Sequence, residues 1–228
     1  MKTLRGKIIV ITGAGGRLAG VVEDVFREAG AQLVLVDQDM IRIQGRAASY
    51  DAPSIEMDLT TLEGAKGMIA QIKAQTGRID GLIHLVGELV FGDIASLEEA
   101  DFNRAFDSNI RTLFNVTKAV LPELLNAHEG FLAALASHDA WQRGGAGTSL
   151  FAASKSAVAS FMRSLDLELK GNTINVTIIY PLGLIDTKLT GEVGCVAPKA
   201  IAQALLHAAL ADEGGRQLEV LVYPPRHA

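Results

Sequence analysis

IIVITGAGGRLAG, residues Ile8 to Gly20, joins an unbroken apolar run to a glycine-rich turn and then to a segment with helical character. An apolar run without polar alternation reads as a strand covered on both faces, the kind found in parallel sheets. Glycines between such a strand and a helix let backbone N–H groups approach a pyrophosphate, which the positive end of the helix also favours. The spacing fits GxxGxxA, with Gly13, Gly16 and Ala19, better than it fits GxGxxG. Glycine turns also close ordinary βα units, so the motif needs its surroundings to carry meaning. Arg17 and Leu18, at the start of the helix, join Gly13 and Gly16 as dinucleotide-binding positions. For Arg17 two readings stay open: a guanidinium on a phosphate, or a solvated charge in a first helical turn.

Outward from this stretch, short apolar runs alternate with helical segments. QLVLVD (Gln32 to Asp37) precedes a helix over Leu62 to Gln75, and GLIHLVG (Gly81 to Gly87) precedes a long helix over Phe102 to Leu125. FLAALAS (Phe131 to Ser137), a helix over Leu150 to Leu169, INVTIIYP (Ile174 to Pro181), the helix PKAIAQALLHAAL and the strand LEVLVY complete the chain. Parallel strands need crossover helices, so the pattern predicts an α/β fold: a doubly wound parallel sheet, or Rossmann fold, in a single dinucleotide-binding domain over residues 1–228. No internal repeat or Pro/Ser-rich linker divides it.

Asp37 ends the second strand about twenty residues past the glycines. A carboxylate there accepts hydrogen bonds from the adenosine ribose hydroxyls and repels a 2′-phosphate, which favours NAD over NADP.

With 228 residues, 49% of them hydrophobic, the chain can bury a large core. A formal net charge of -5 and no long Lys/Arg run argue against nucleic acid and anionic membranes, leaving a small-molecule substrate as the expected partner. The single cysteine, Cys195, cannot form an intramolecular disulfide, so a cytoplasmic setting is expected. It has no ligand company nearby, and no metal is expected. The basic start MKTLRGK before an apolar run has the outline of a signal peptide, but the run is too short, and a buried strand explains it better. No segment is long and apolar enough to span a bilayer.

TGAGGRLAG, MDLT with Asp58, RIDGLIHLVG, SNIRTLFNVTKAVLP with Asn109, FAASK and YPLGLIDT follow one another in an order and spacing that resemble the short-chain dehydrogenase/reductase family over essentially the whole chain. The resemblance implies Asp58 near the adenine, Gly87 and Pro181 beside the coenzyme and Thr187 near the nicotinamide amide. It also implies that the family's catalytic Asn, Ser, Tyr and Lys fall on Asn109, Ser137, Phe151 and Lys155, with Lys155 also bonding the nicotinamide ribose. In that family a hydride passes between nicotinamide C4 and a carbonyl or alcohol carbon, and the tyrosine hydroxyl handles the oxygen's proton.

Phe151 has no hydroxyl, so the resemblance implies an atypical member with noncanonical or weak catalysis. Other departures are LVG (Leu85 to Gly87) where the family has asparagine-alanine-glycine, a residue inserted in Pro181-Leu182-Gly183, and a short segment after Thr187. His138 has a suitable proton group, yet neighbours on an extended segment point to opposite sides, so it is expected to face away from the side of Ser137. Tyr180 is a second substitute, at a strand end bordering the crevice, although it also reads as a half-buried aromatic closing the strand. His84 reads as a hydrogen-bonded core residue. Ser137-His138-Asp139 spells a hydrolase trio, but consecutive residues do not easily form the relay, and no GxSxG elbow occurs.

The helix bearing Phe151 and Lys155 is rich in small residues, Ala152, Ala153, Ser156, Ala157, Ala159 and Ser160. By the resemblance, such a helix lies at a subunit interface, which implies a homodimer or homotetramer. Two functions follow: an oxidoreductase acting on an unidentified carbonyl or alcohol, with water, His138 or Tyr180 handling the proton, or a non-catalytic NAD(H)-binding sensor or assembly subunit.

Overall fold

The computed structural model describes residues 3–127, 129–186, 188, 194–211 and 218–225. Strands β1 (Ile8–Thr12), β2 (Gln32–Asp37), β3 (Ser54–Glu56), β4 (Gly81–His84), β5 (Gly130–Leu135), β6 (Ile174–Pro181) and β7 (Glu219–Val222) form one sheet in the order β3-β2-β1-β4-β5-β6-β7. Every pairing is parallel. The strand order reverses between β1 and β4, and a crevice opens there at the carboxyl ends, where doubly wound sheets bind ligands.

The helices are α1 (Arg17–Glu28), α2 (Met40–Tyr50), α3 (Leu62–Thr76), α4 (Glu99–Phe106), α5 (Thr112–Asn126), α6 (His138–Trp141), α7 (Ser149–Glu168) and α8 (Pro198–Leu210). Alternate strand residues point to opposite faces, so the sheet supports two cores. Val10, Val34, Leu82 and Leu132 pack with Met68, Val116 and Met162 from α3, α5 and α7. Ile9, Ile11, Leu35 and Ile83 pack with Val22, Phe26, Ile43 and Leu205 from α1, α2 and α8.

Three elements were not expected. Helix α2 starts where the Asp39 carboxylate accepts the Ile41 N–H, β3 has only three residues, and α6 starts at a cap made by Ser137. The long helix expected over Phe102 to Leu125 is instead α4 and α5, joined by a wide π-type turn over Asp107–Arg111. Such turns interrupt a helix where a side chain must enter its hydrogen-bond ladder. Here it is Asn109, 1% exposed, whose Nδ2 donates to the carbonyl of Ala105 at 2.9 Å.

Candidate functional site

The turn after β1 is shaped by its glycines. Gly13 has φ +75°, and a Cβ there would lie 2.7 Å from the backbone nitrogen of Val86. Only glycine accepts both conditions. Ala14 N–H donates to the carbonyl of Val36 at 3.1 Å, and Gly15 N–H donates to Asp37 Oδ2 at 2.8 Å. Gly16 caps α1 while its N–H donates to the carbonyl of Gly13 at 3.0 Å, and Arg17 follows it, its side chain exposed and with no hydrogen bond or ion pair among the described residues.

Two cavities meet at this turn. The first, ≈ 370 Å³, is bordered by Asp37, Gln38, Arg42, Asp58, Thr60 and Ser108. Asp58 Oδ1 accepts from Thr60 N–H at 2.8 Å and its hydroxyl at 2.6 Å, which fixes the carboxylate and leaves its other oxygen available. Arg42, a cation beside Asp37, is held by Asp39 at 3.1 Å.

The second cavity, ≈ 900 Å³, includes Arg17, Leu18, Ser137, Phe151, Lys155 and Pro181 in its lining. Gly13, Gly16 and Gly87 border both cavities. At Gly87 a Cβ would lie 2.5 Å from Asn109 Oδ1 and 2.9 Å from Lys155 Nζ, so the missing side chain keeps a cradle open above two polar groups. Lys155 is buried and its Nζ donates to the carbonyl of Leu135 at 3.0 Å, 6.0 Å from the centre of the Phe151 ring. Burial lowers its ammonium to about 8. The face of Phe151 offers the cation a weak electrostatic partner but no acceptor lone pair.

Asn109 lines neither cavity. Its Nδ2 donates to the carbonyl of Glu88, the carbonyl of Ala105 and Ser154 Oγ, and its Oδ1 accepts the N–H of Glu88 at 3.2 Å. Its side chain ties the strand end at Gly87 and Glu88 to α4 and α7. Thr187 lies outside the described residues.

Ser137 and His138 both line the larger cavity. The strand alternation on which their opposite sides were expected does not reach them, because β5 ends at Leu135 and Ser137 is the N-cap from which the chain turns into α6. Ser137 Oγ accepts the N–H of Asp139 at 3.2 Å, and His138 Nδ1 lies 3.5 Å from Asp139 Oδ1, which leaves His138 Nε2 without a partner among the described residues. No hydrogen bond joins Ser137 to His138 among the described residues, so the three do not form a hydrolase relay.

Tyr180 is withdrawn from the site. It is fully buried, its hydroxyl donates to Glu219 Oε1 at 2.7 Å and accepts from Arg163 at 3.0 Å, and burial with the Glu219 bond raises its pKa. His84 is the bonded core residue expected. Thr112 gives its hydroxyl proton to the carbonyl of Ser108, so His84 Nε2–H donates to Thr112 and Nδ1 accepts from Thr12 at 2.8 Å. Burial, aided by Lys155, lowers His84 to about 3 and keeps it neutral.

Glu88, Leu89, Phe91, Thr148 and Leu184 also line the larger cavity but carried no sequence signal beyond adjacency to Gly87 and Phe151. Phe91 is held over it by the N–H of Gly92 donating to the carbonyl of Gly147 at 2.9 Å, with its ring against Gly147, where φ is +78°.

Residues 7–195 match the family model described as short chain dehydrogenase. An uncharacterized oxidoreductase of Staphylococcus aureus (strain MRSA252) is 27% identical, covering 98% of this chain and 100% of that protein. Oxidoreductase UcpA of Salmonella typhimurium is 30% identical over 85% of this chain and 74% of its own length. Among solved structures, a metagenomic short-chain oxidoreductase in complex with NADP superposes with a TM-score of 0.87 at 21% identity, covering 98% of this chain and 99% of that one. An NAD+-bound xylitol dehydrogenase gives 0.87 at 21% identity, covering 98% and 100%.

Proposed function

The chain belongs to the short chain dehydrogenase family of oxidoreductases, and from that premise we propose that it is an NAD(H)-dependent enzyme reducing or forming an uncharged, apolar carbonyl compound, with His138 in the proton-transfer role. One observation carries this reading: Ser137, His138, Phe151 and Lys155 line a single cavity that runs into the glycine turn.

The residues present suit a dinucleotide. Gly13 and Gly87 leave room that a Cβ would fill, and Lys155, with three donors, uses one on Leu135. In the proposed arrangement the first N–H groups of α1 and the Arg17 side chain hold the pyrophosphate, Asp37 the adenosine ribose, Asp58 the adenine side, Lys155 the second ribose, and Gly87, Leu18 and Pro181 shape the nicotinamide wall. Thr187 would reach the amide. The coenzyme supplies the hydride. Ser137 then holds the substrate oxygen, and His138, oriented through Nδ1 by Asp139, gives or takes the oxygen's proton at Nε2.

The preference for NAD rests on Asp37, whose carboxylate faces the smaller cavity, while Arg42 beside it is already paired. The substrate class rests on the wall away from the turn, formed by Leu89, Phe91, Phe151, Leu182 and Leu184 with the carboxylates Glu88 and Asp139. Of the two acids, Glu88 is exposed and paired with Arg104 at 3.0 Å, so Asp139 is the one that repels an anionic substrate. The exposed face of α7, Ala153, Ser156 and Ser160, supports a homodimer or homotetramer; Ala159, grouped with them in the sequence, is buried against the sheet instead. The single cysteine supports a cytoplasmic setting, and among the described residues no helix is long and apolar enough to cross a membrane.

The test is NADH oxidation over matched aldehydes that differ only by a carboxylate. Turnover of the neutral members, at least tenfold faster than their carboxylated partners, is expected. Tight NADH binding with no turnover would support the alternative of a non-catalytic NAD(H)-binding subunit, which Phe151 favours.

A further inference from the structure

The glycine turn is also gripped from behind by a charged pair. Glu23, on α1, is fully buried in a row otherwise made of Leu18, Ala19, Val22 and Phe26. Arg46, on α2, donates Nε to Glu23 Oε2 at 2.7 Å, and its Nη2 lies 3.4 Å from Oε1. The same Nη2 donates to the carbonyl of Ala14, inside the turn. Ala14 is wholly buried and its N–H is already tied to β2. Burial raises the Glu23 carboxyl and the Arg46 bond opposes that rise. A buried carboxylate is costly, and an apolar residue would serve packing at this position at least as well. The pair therefore needs a reason beyond the core.

We propose that Glu23 and Arg46 are positioning residues for the phosphate-binding turn: Glu23 orients the guanidinium, and the guanidinium fixes the Ala14 carbonyl so that the amides of Gly15 and Gly16 keep their shape without a ligand. The bridge joins α1, α2 and the turn through one planar group. A lysine in place of Arg46 offers a point charge on a flexible stem instead of a fixed fork, so it holds Glu23 and Ala14 less rigidly. The inference rests on the proposed function only for what the turn binds; the shape of the turn is measured without coenzyme.

The experiment compares wild type with Arg46→Lys, the double variant Glu23→Leu/Arg46→Met, and Phe26→Leu as a core control. Removing both charges avoids stranding Glu23, so the double variant is expected to fold. Amide exchange at Ala14 to Arg17, recorded by NMR without nucleotide, is expected to accelerate about 5- to 150-fold in the double variant, the effect of one lost hydrogen bond to a buried carbonyl. β1 and the middle of α1 keep their protection. Arg46→Lys falls between the two, and Phe26→Leu lowers Tm while leaving the turn amides as in wild type. NADH affinity in the double variant falls alongside the exchange. Turn protection unchanged in the double variant, or lost equally in Phe26→Leu, would overturn the proposal. Failure of wild type to bind NADH would instead count against the proposed function and leave the exchange result standing.

Discussion

The two cavities that meet at Gly13 and Gly87 are built by different means. Around the smaller one, the functional positions are held by bonds to backbone N–H groups or to β2: Ala14 to β2, Gly15 to Asp37 at the end of β2, Asp58 to Thr60, and Glu88, next to Gly87, to Asn109. Around the larger one, the polar groups hang from caps and loop ends, with Ser137 at the start of α6, His138 beyond it and Phe91 on the loop near Gly147. Backbone geometry leaves little choice in the first region, because the strand order itself creates the crevice. In the second, side chains can be exchanged while the scaffold stays intact, and in the proposed reading Phe151 is such an exchange. On that reading, coenzyme binding and proton chemistry are separable in this fold.

The separation is sharpened most by Phe151→Tyr. If the substrate half still aims a carbonyl over this position, the new hydroxyl beside Lys155, introduced into His138→Gln, restores about 10²-fold or more of the lost turnover of a neutral aldehyde, toward the contribution of a positioned acid. NADH affinity should stay the same. No gain would mean that the substrate half has been rebuilt.

Gly87→Ala attacks the coenzyme half. The added Cβ meets Asn109 Oδ1 at 2.5 Å and Lys155 Nζ at 2.9 Å. An overpacking cost near 2 kcal/mol weakens NADH binding roughly 30-fold, measurable by fluorescence titration. Unchanged binding would break the link between this cradle and the coenzyme.

Asp37→Ser removes the carboxylate that repels a 2′-phosphate. The ratio of NADPH to NADH affinity should rise roughly tenfold. An unchanged ratio would mean that Arg42, rather than Asp37, governs the choice.

The smallest effect is one of pH. Lys155 is a base lowered to about 8 by burial, so it is charged below that pH and loses its charge as pH rises through it. NADH affinity should be flat below pH 8 and fall about fivefold above it, the difference between a charged and a neutral donor. In Lys155→Met the profile should lose this step.

The strands and crossover helices were legible because burial on both faces erases polar alternation, as in IIVIT and INVTIIYP, whose limits match β1 and β6. Helix α2 was missed because Met40 to Tyr50 buries only Ile43 and Ala47, too narrow a stripe for a clear period. The π-type turn was hidden inside a continuous helical pattern, since its cause is the contact of Asn109 with Glu88, 21 residues away. Gly13 and Asp37 were singled out by type and spacing and Lys155 through the family resemblance, and all three border the cavities. His138 was named only as one of three substitutes, because the cap that begins α6 beside it depends on Ser137 meeting a backbone N–H. Arg46 carries no motif; only the fold brings it to Ala14.

The most direct test of the separation is an NADH titration followed by turnover of a neutral aldehyde, in wild type and in His138→Gln. The account predicts equal NADH affinity in the two proteins and turnover lowered by about 10²- to 10⁴-fold in the variant. Equal turnover in both, or no NADH binding by the wild type, would contradict it.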